Sequence, residues 1–269
     1  MPLYQALILG ALQGFTEFWP ISSSAHLSLT QWLFGWGTPQ LSFSVALHAG
    51  TLLAVIVFFR KRLFQLFVAF ITSLRELEIG RDPDRRLAWF LLVAAVPAFI
   101  AGAGLSASSE AMESMPLLMA LMLVLLGGVL YRADAAHGSR ELESMGWREA
   151  LAVGMAQALA LVPGVSRSGA TISTALFAGF GREQAAEFAF LLSVPTISGA
   201  VAYQGLKMLA GESGSAGGGS MLVGFLAAAV TGFVAVRYLL RFVQHGSYRP
   251  FAWYRLGLAL AVVAVALSR

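Results

Sequence analysis

The sequence predicts an all-α polytopic membrane protein, with six transmembrane helices and two re-entrant helical hairpins arranged as an inverted repeat. Three observations favour this class. Hydrophobic residues make up 58% of the 269-residue chain, and charged residues only 12%, which is about half of their share in soluble domains. The mean hydropathy is +0.74. A separate observation is that cysteine is absent, which excludes disulfide bonds and thiol chemistry.

Six segments have the length and composition of membrane-spanning helices, which need about 20 mainly apolar residues. They are 41–59, 87–105, 116–131, 188–206, 221–236 and 252–268. Two further apolar segments, 2–34 and 149–180, are interrupted near the middle by Pro, Gly and Ser, so neither predicts one continuous span. The stretch 63–74 is too short to span and is predicted to lie along the membrane surface.

The basic residues predict how these segments are oriented. The loops rich in Lys and Arg are 60–86, 132–148 and 237–250, whereas 106–115 and the glycine-rich 211–220 have none. The positive-inside rule therefore places the first three loops in the cytoplasm. The loops can alternate between the two sides of the membrane only if segment 2–34 enters and leaves on the outer side and segment 149–180 enters and leaves on the cytoplasmic side. Irregular backbone at membrane depth is tolerated where protein covers it or where it lines a cavity, so the hairpin turns predict a site.

An internal repeat supports the same arrangement. Residues 6–25 align with residues 150–169, 144 positions later. The identical pairs are Ala6 and Ala150, Leu7 and Leu151, Gly10 and Gly154, Gln13 and Gln157, Ser22 and Ser166, and Ser24 and Ser168. The repeat predicts a single membrane domain with inverted halves, 1–131 and 149–269, joined by a cytoplasmic loop at 132–148. The glycine-rich helices favour close helix packing and are compatible with a homodimer.

The two predicted turns carry polar residues suited to phosphate. In the first turn Pro20 interrupts the chain, and three serines, Ser22, Ser23 and Ser24, precede a helix that contains His26. In the second turn Pro163 and Gly164 end a helix, and Ser166 can cap the next helix, which begins near Arg167. A helix start offers free N–H groups to an anion, and a guanidinium binds phosphate through two hydrogen bonds. The residues predicted to hold phosphate are Ser22, Ser166, Arg167, Ser168 and Thr171.

Glu17 is an acidic residue in an apolar segment and therefore needs a partner or a function. A charge at the centre of a bilayer costs about 2.5–3.5 kcal/mol, and Arg167 is its predicted partner. Gln13 and Glu17 are four residues apart and share one helix face. Their oxygens suit a divalent cation, Mg²⁺ or Ca²⁺. Alternatively, Glu17 acts as a general base.

Two motifs resemble those of the undecaprenyl-diphosphate phosphatase family linked to bacitracin resistance. Gln13-x-x-x-Glu17 is similar to the family's (E/Q)xxxE motif. The second motif, PGxSRSxxT, is matched from Pro163 to Thr171. The family's serine and histidine fall on Ser23 and His26. The first motif position is an amide here, which weakens a metal role that relies on two carboxylates.

The resemblance implies an enzyme of the bacterial inner membrane, with a site that opens to the periplasmic face. The reaction implied is hydrolysis of undecaprenyl diphosphate to undecaprenyl phosphate and phosphate, which recycles the lipid carrier of cell-wall synthesis with the help of a divalent cation. The catalytic residues implied are Glu17, Ser23, His26 and Arg167, with Ser23, His26 or a water as the nucleophile. The expected partners are a polyprenyl diphosphate and membrane lipids, with no nucleic acid.

A transporter that flips undecaprenyl phosphate is the alternative, because inverted repeats with broken helices are also the plan of secondary transporters. Such a protein needs the arginine and the two helix starts. It does not need the combination of Glu17, Ser23 and His26, so these residues favour the enzyme.

Overall fold

The computed structural model describes residues 1–37, 41–80, 82–209 and 217–268, and these residues form helices and short connections. The helices are α1 (Leu3–Phe18), α2 (Ser23–Phe34), α3 (Leu41–Phe58), α4 (Arg60–Glu76), α5 (Pro83–Met112), α6 (Pro116–Ala136), α7 (Trp147–Leu159), α8 (Arg167–Phe177), α9 (Arg182–Leu209), α10 (Gly218–His245) and α11 (Arg249–Ser268). A short 3₁₀ turn, Leu142–Ser144, lies between α6 and α7. Within these described ranges no β-strand occurs, in agreement with the predicted class.

In the described ranges, six helices are long and apolar enough to cross a membrane: α3, α5, α6, α9, α10 and α11. Five of them contain a predicted span, and α3 matches the sixth, 41–59, to within one residue, so the prediction of six spans is confirmed. The helices extend beyond the apolar windows: α5 continues to Met112 through part of the expected loop 106–115, and α6 continues to Ala136. Hydropathy marks only the apolar part of a helix, whereas Ala, Glu and Arg continue it readily. The connection between the halves is therefore 137–146, shorter than the predicted loop 132–148.

Two other segments complete the comparison with the predicted elements. Helix α4 contains the predicted surface stretch 63–74 and begins directly after α3. Its exposed apolar residues, including Phe64 and Phe67, accompany several cationic residues, a combination typical of a helix at a membrane surface. The glycine-rich stretch 211–220 lies mostly outside the described residues.

The two interrupted segments form helix pairs, α1 with α2 and α7 with α8, and the turn of each pair reaches the central part of a spanning helix. The indole N–H of Trp19, in the first turn, donates to the carbonyl oxygen of Ala235 in α10 at 3.2 Å. Gln157, near the end of α7, donates from its amide to the carbonyl oxygen of Ala94 in α5 at 3.4 Å. Re-entry of these pairs into a membrane from opposite sides stays a prediction, and the depth of the turns supports it.

Glycines allow the first helix of each pair to pack closely on a span of the other half. A Cβ atom added to Gly10 of α1 would lie 2.5 Å from the carbonyl oxygen of Gly224 in α10. The aligned residue in the second half, Gly154 of α7, would meet the carbonyl oxygen of Ala94 in α5 at the same distance. Residues 1–131 and 149–269 therefore contact each other through equivalent glycines, which supports the inverted repeat, although the repeat stays a prediction.

Gly14→Ala is expected to lower the thermal unfolding temperature of the detergent-solubilised protein. Its added Cβ atom would lie 2.6 Å from the backbone oxygen of Ala228, so α1 and α10 would have to separate. Such overpacking costs about 1–3 kcal/mol. Gly128→Ala in α6 is the matched control, because nothing lies within 4 Å of its added Cβ and alanine favours the helix. Equal unfolding temperatures for the two variants would contradict this account of the crossing.

A buried ion-pair cluster joins α6, α9 and α11 at the end of the bundle where the connection 137–146 lies. The carboxylate of Asp134, which is fully buried, accepts hydrogen bonds from Arg182 at 2.7 and 3.0 Å and from the backbone N–H of Tyr248 at 2.9 Å. Burial, together with the nearby Asp134 carboxylate, raises the pKa of the Tyr248 phenol well above its ordinary value. The phenol therefore stays protonated and donates to the carbonyl oxygen of Arg182 at 3.1 Å.

Candidate active site

The two turns have the same backbone geometry at aligned serines. Ser22 has φ 73° and ψ 98°, and Ser166 has φ 72° and ψ 112°. The Ser22 hydroxyl accepts a hydrogen bond from the backbone N–H of Ala25 at 3.4 Å and so caps α2. The Ser166 hydroxyl accepts one from the backbone N–H of Gly169 at 3.1 Å and so caps α8. A positive φ at a residue other than glycine costs about 1–3 kcal/mol and is found mainly at functional sites. The repeat therefore places two strained helix starts in one region.

The turns are tied to each other by a reciprocal pair of serine contacts. Ser168 donates its hydroxyl proton to the carbonyl oxygen of Trp19 at 3.1 Å. Ser24, the aligned residue, accepts from the backbone N–H of Gly164 at 3.5 Å. A serine inside a membrane helix often bonds to its own helix instead. Here both side chains bridge the two halves and fix one turn against the other.

Glu17 lies at the centre of the site, and both of its carboxylate oxygens are occupied. Arg167 donates to Oε1, the Ser23 hydroxyl donates to Oε2 at 2.6 Å, and the Gln13 amide donates to Oε2 at 3.0 Å. The structure therefore brings together the partners predicted from the two motifs, across 150 residues of chain. Glu17 is buried, and the side chain of Arg167 retains 18% of its exposure.

Arg167 keeps this exposure because it lines a cavity of about 430 Å³ between α5, α7 and α9. The walls are mainly apolar and include Phe99 and Gly199, with Thr196 and Tyr203 among the polar contributors. The cavity extends from Arg167 to the region just beyond the end of α5, away from the connection 137–146. An anionic group on an apolar chain would thus find the guanidinium at the inner end of an apolar passage.

Apart from Arg167, the residues predicted to bind phosphate use their hydroxyls in hydrogen bonds with backbone groups. Thr171 donates to the carbonyl oxygens of Arg167 and Ser168 at 2.9 and 3.1 Å, within its own helix. Ser22 and Ser166 are buried and serve as caps. These residues shape the helix starts. Of the five residues predicted to hold phosphate, Arg167 is the one that lines the cavity.

The two histidines of the first half are also engaged. His26 contacts the carbonyl oxygen of Ser22 through Nδ1 and the hydroxyl of Tyr254 through Nε2, both at 2.7 Å. His48, in α3, donates from Nδ1 to the carbonyl oxygen of Ser44 at 2.9 Å.

Arg255 in α11 is a central residue of the site that sequence reasoning missed. Its side chain is fully buried. It donates hydrogen bonds to carbonyl oxygens of the first turn (Pro20, 3.3 Å), the second turn (Gly164, 2.8 Å, and Val165, 3.1 Å) and α6 (Met122, 3.3 Å, and Leu123, 3.1 Å). One cation thus holds both turns against α6. A lone arginine in the apolar segment 252–268 was the available signal.

The described side chains around Glu17 do not fit a metal ion that is held by protein ligands alone. The amide oxygen of Gln13 is buried without a hydrogen-bond partner, so it is available as a ligand. Both oxygens of Glu17 are already occupied. Among the described residues there is also no group of three or more His, Cys, Asp or Glu side chains with metal-binding geometry. Gln13 and Glu17 together fall short of the ligand set of a protein-held Mg²⁺ or Ca²⁺.

Fold and site together define a multi-pass membrane protein in which two broken-helix turns hold a buried glutamate–arginine pair beside an apolar cavity. The bacitracin resistance protein BacA family matches residues 6–261, and the chain belongs to this family. A relative from Rubrobacter xylanophilus, called undecaprenyl-diphosphatase, is 46% identical over 99% of both chains. Relatives of the same name from Geobacter sulfurreducens and Pelobacter propionicus are 45% and 44% identical, and the matches cover 100% of this chain and 100% and 98% of theirs.

Proposed function

We propose that this protein is an undecaprenyl-diphosphate phosphatase, which hydrolyses the lipid diphosphate to undecaprenyl phosphate and phosphate. Membership of the BacA family and the shared name of the relatives support the activity. The observation that carries the assignment is the chain of contacts from Ser23 through Glu17 to Arg167, because it joins a hydroxyl, a base and a phosphate-binding cation.

Substrate binding breaks the pair between Arg167 and Glu17. The diphosphate is anionic and enters along the apolar cavity, where Arg167 is the cation at the inner end. A guanidinium that turns to the terminal phosphate leaves the Glu17 carboxylate with one partner fewer and makes it a stronger base. Phosphate binding is thereby coupled to activation of the hydroxyl that Glu17 already contacts.

Ser23 is the nucleophile in this mechanism. Its hydroxyl donates to Glu17 at 2.6 Å, so Glu17 takes the proton as the oxygen attacks the terminal phosphorus. The bond from phosphorus to the bridging oxygen breaks, and the lipid monophosphate leaves. Water then hydrolyses the phosphoserine and releases phosphate. His26 is the less suitable nucleophile, because both of its ring nitrogens are already hydrogen-bonded.

A divalent cation would enter this scheme with the diphosphate, as part of the substrate. The side-chain oxygen of Gln13, buried without a hydrogen-bond partner, would offer it one protein ligand, and the cation would neutralise charge on the phosphate oxygens. Glu17, Ser23 and Arg167 do the protein's part of the chemistry.

The site serves the outer, periplasmic face of a bacterial inner membrane. The cavity extends from Arg167 away from the connection 137–146, and the Arg residues of that connection and its flanks favour the cytoplasmic side. The inverted repeat of 1–131 and 149–269, with 2–34 and 149–180 as re-entrant hairpins, gives both turns the same depth. Homodimerisation of the glycine-rich helices stays a prediction, as does the absence of nucleic-acid binding. A transporter of undecaprenyl phosphate is not favoured, since it does not require the contact of Ser23 with Glu17.

Purified protein in detergent is expected to release phosphate from a long-chain isoprenyl diphosphate, and EDTA is expected to suppress the release. Ser23→Ala should reduce turnover by roughly three orders of magnitude, since loss of a serine nucleophile has effects of at least this size. Release is measured with a colorimetric phosphate assay under single- and multiple-turnover conditions.

Ser28→Ala, in the same helix, is the matched control and should retain wild-type turnover. Radiolabelled substrate, quenched in acid, should leave label on the wild-type protein and none on Ser23→Ala. Wild-type turnover by Ser23→Ala would eliminate this residue as the nucleophile. Lipid binding without phosphate release in any condition would overturn the proposed activity and restore the transporter.

A further inference from the structure

The imidazole of His26 is held on both edges. Its Nδ1 atom lies 2.7 Å from the carbonyl oxygen of Ser22, and its Nε2 atom lies 2.7 Å from the hydroxyl of Tyr254 in α11. The His26 and Tyr254 rings are nearly parallel, at 4°, with their centroids 5.6 Å apart. His26 is buried and Tyr254 is exposed. The contact joins two side chains that are 228 residues apart.

These contacts determine which nitrogen of neutral His26 carries the proton. A carbonyl oxygen only accepts hydrogen bonds, so Nδ1 must be the protonated nitrogen. Nε2 then presents its lone pair and accepts the proton of the Tyr254 hydroxyl. The basic nitrogen of His26, Nε2, is therefore the one that accepts the hydrogen bond from Tyr254. In catalytic histidines the partner of one nitrogen sets the tautomer and orientation of the ring.

No other hydrogen bond to Nε2 is present in the described part of the chain. The charged group of α11 next to Tyr254 is Arg255, whose guanidinium donates to carbonyl oxygens of the two turns and of α6. From α1, Glu17 is held by Arg167 and Ser23. The α6 residues in the cluster around α2, such as Met119, are apolar. Tyr254 is thus the hydroxyl that controls this edge of the ring.

We propose that Tyr254 is a positioning residue for the hydrolysis, acting through His26 by its hydrogen bond to Nε2, which fixes the plane of the imidazole. The inference rests on the proposed phosphatase function. With Nε2 held toward α11, the ring is kept away from the proton of Ser23, which Glu17 takes. The same contact keeps Nε2 unprotonated. In the later step, Nε2 becomes available to take a proton from the attacking water when the Tyr254 hydroxyl gives up this contact.

Tyr254→Phe tests this role, because it removes one oxygen atom and keeps the ring. We expect kcat to fall about tenfold, the effect of one lost hydrogen bond, with KM within about twofold because no substrate contact is removed. Tyr238→Phe, at an exposed position of α10, is the matched control and should match the wild type. In a His26→Gln background, Tyr254→Phe should cause no further loss.

Nitrogen-15 labelling of histidine gives a second readout that does not depend on turnover. The chain has 4 histidines, and His26→Gln assigns the signal of interest. In the wild type, His26 should be protonated at Nδ1, with Nε2 as a hydrogen-bonded acceptor. In Tyr254→Phe, Nδ1 should stay protonated on the Ser22 carbonyl oxygen, and the Nε2 signal should shift because its hydrogen bond is lost. Wild-type kcat together with unchanged histidine signals in Tyr254→Phe would overturn the proposal, as would full additivity with His26→Gln. Absence of hydrolysis in the wild type would overturn the phosphatase instead, and the Nε2 signal of His26 would still test the Tyr254 contact.

Discussion

Arg167→Ala is expected to reduce phosphate release by about 100-fold or more, because removal of one charge-stabilising donor has effects of this size. Arg167 supplies the cation at the inner end of the cavity, and among the residues that the structure describes no other Lys or Arg lines that cavity. Its removal also leaves the buried Glu17 carboxylate without its ion-pair partner, which costs about 3–5 kcal/mol. The measurements are phosphate release and thermal unfolding of the purified protein.

A second variant separates the loss of chemistry from the loss of stability. In Glu17→Gln/Arg167→Ala the buried charge is gone, so the unfolding temperature should recover relative to Arg167→Ala. Turnover should not recover, since neither the base nor the phosphate-binding cation is present. Arg148→Ala removes an exposed arginine and should behave as wild type in both assays. A double variant with restored turnover would show that the pair has a structural role only.

The pair between Glu17 and Arg167 was predictable because both residues are charged groups in segments that hydropathy assigns to the membrane. An unpaired charge is costly there, so each predicts a partner. The internal repeat predicted the two helix starts of the site, because Ser22 aligns with Ser166 and each precedes the start of a helix. The structure adds that both serines have a positive φ, a feature of backbone geometry that the residue type does not indicate.

What the sequence did not indicate is which hydroxyls are free. Thr171 and Ser168 belong to the phosphate-like motif, yet both donate their protons to carbonyl oxygens. A hydroxyl in a helix has a backbone acceptor one turn away, and a motif does not specify whether it uses that acceptor or a ligand. The partner of Nε2 in His26 was hidden for a related reason, because Tyr254 lies on a helix that is distant in sequence.

Arg255 was missed because its partners carry no side-chain signal. A search for charge pairs looks for a carboxylate, and within the described residues no carboxylate forms an ion pair with Arg255. Its acceptors in the two turns are the backbone oxygens of Pro20, Gly164 and Val165, and none of these residues has a polar side chain. Pro20 signals a helix break instead. Broken helices leave carbonyl groups without intrahelical donors. A buried arginine in a neighbouring helix is one way to satisfy them, and two interrupted segments predict that such a donor exists without saying where.

Arg255→Met is therefore expected to lower stability and turnover together. It leaves the turn carbonyls of Pro20, Gly164 and Val165 without this donor in a buried site. Each such loss costs about 1–3 kcal/mol, so we expect the free energy of unfolding to fall by about 3 kcal/mol or more. Thermal unfolding in detergent measures the fall, and Arg241→Met, at an exposed position of α10, is the control.

Arg255→Lys distinguishes a general need for a buried cation from a need for the guanidinium. Lysine keeps the charge, but its single nitrogen cannot reach acceptors on both turns and α6 at once. We expect an unfolding temperature between those of the wild type and Arg255→Met, and a kcat well below the wild type even at temperatures where the variant is fully folded. The lower kcat follows because the Glu17–Arg167 pair joins the two turns, so a less firmly held second turn moves Arg167 relative to Ser23. Wild-type turnover in Arg255→Lys would mean that the charge alone keeps the turns in register.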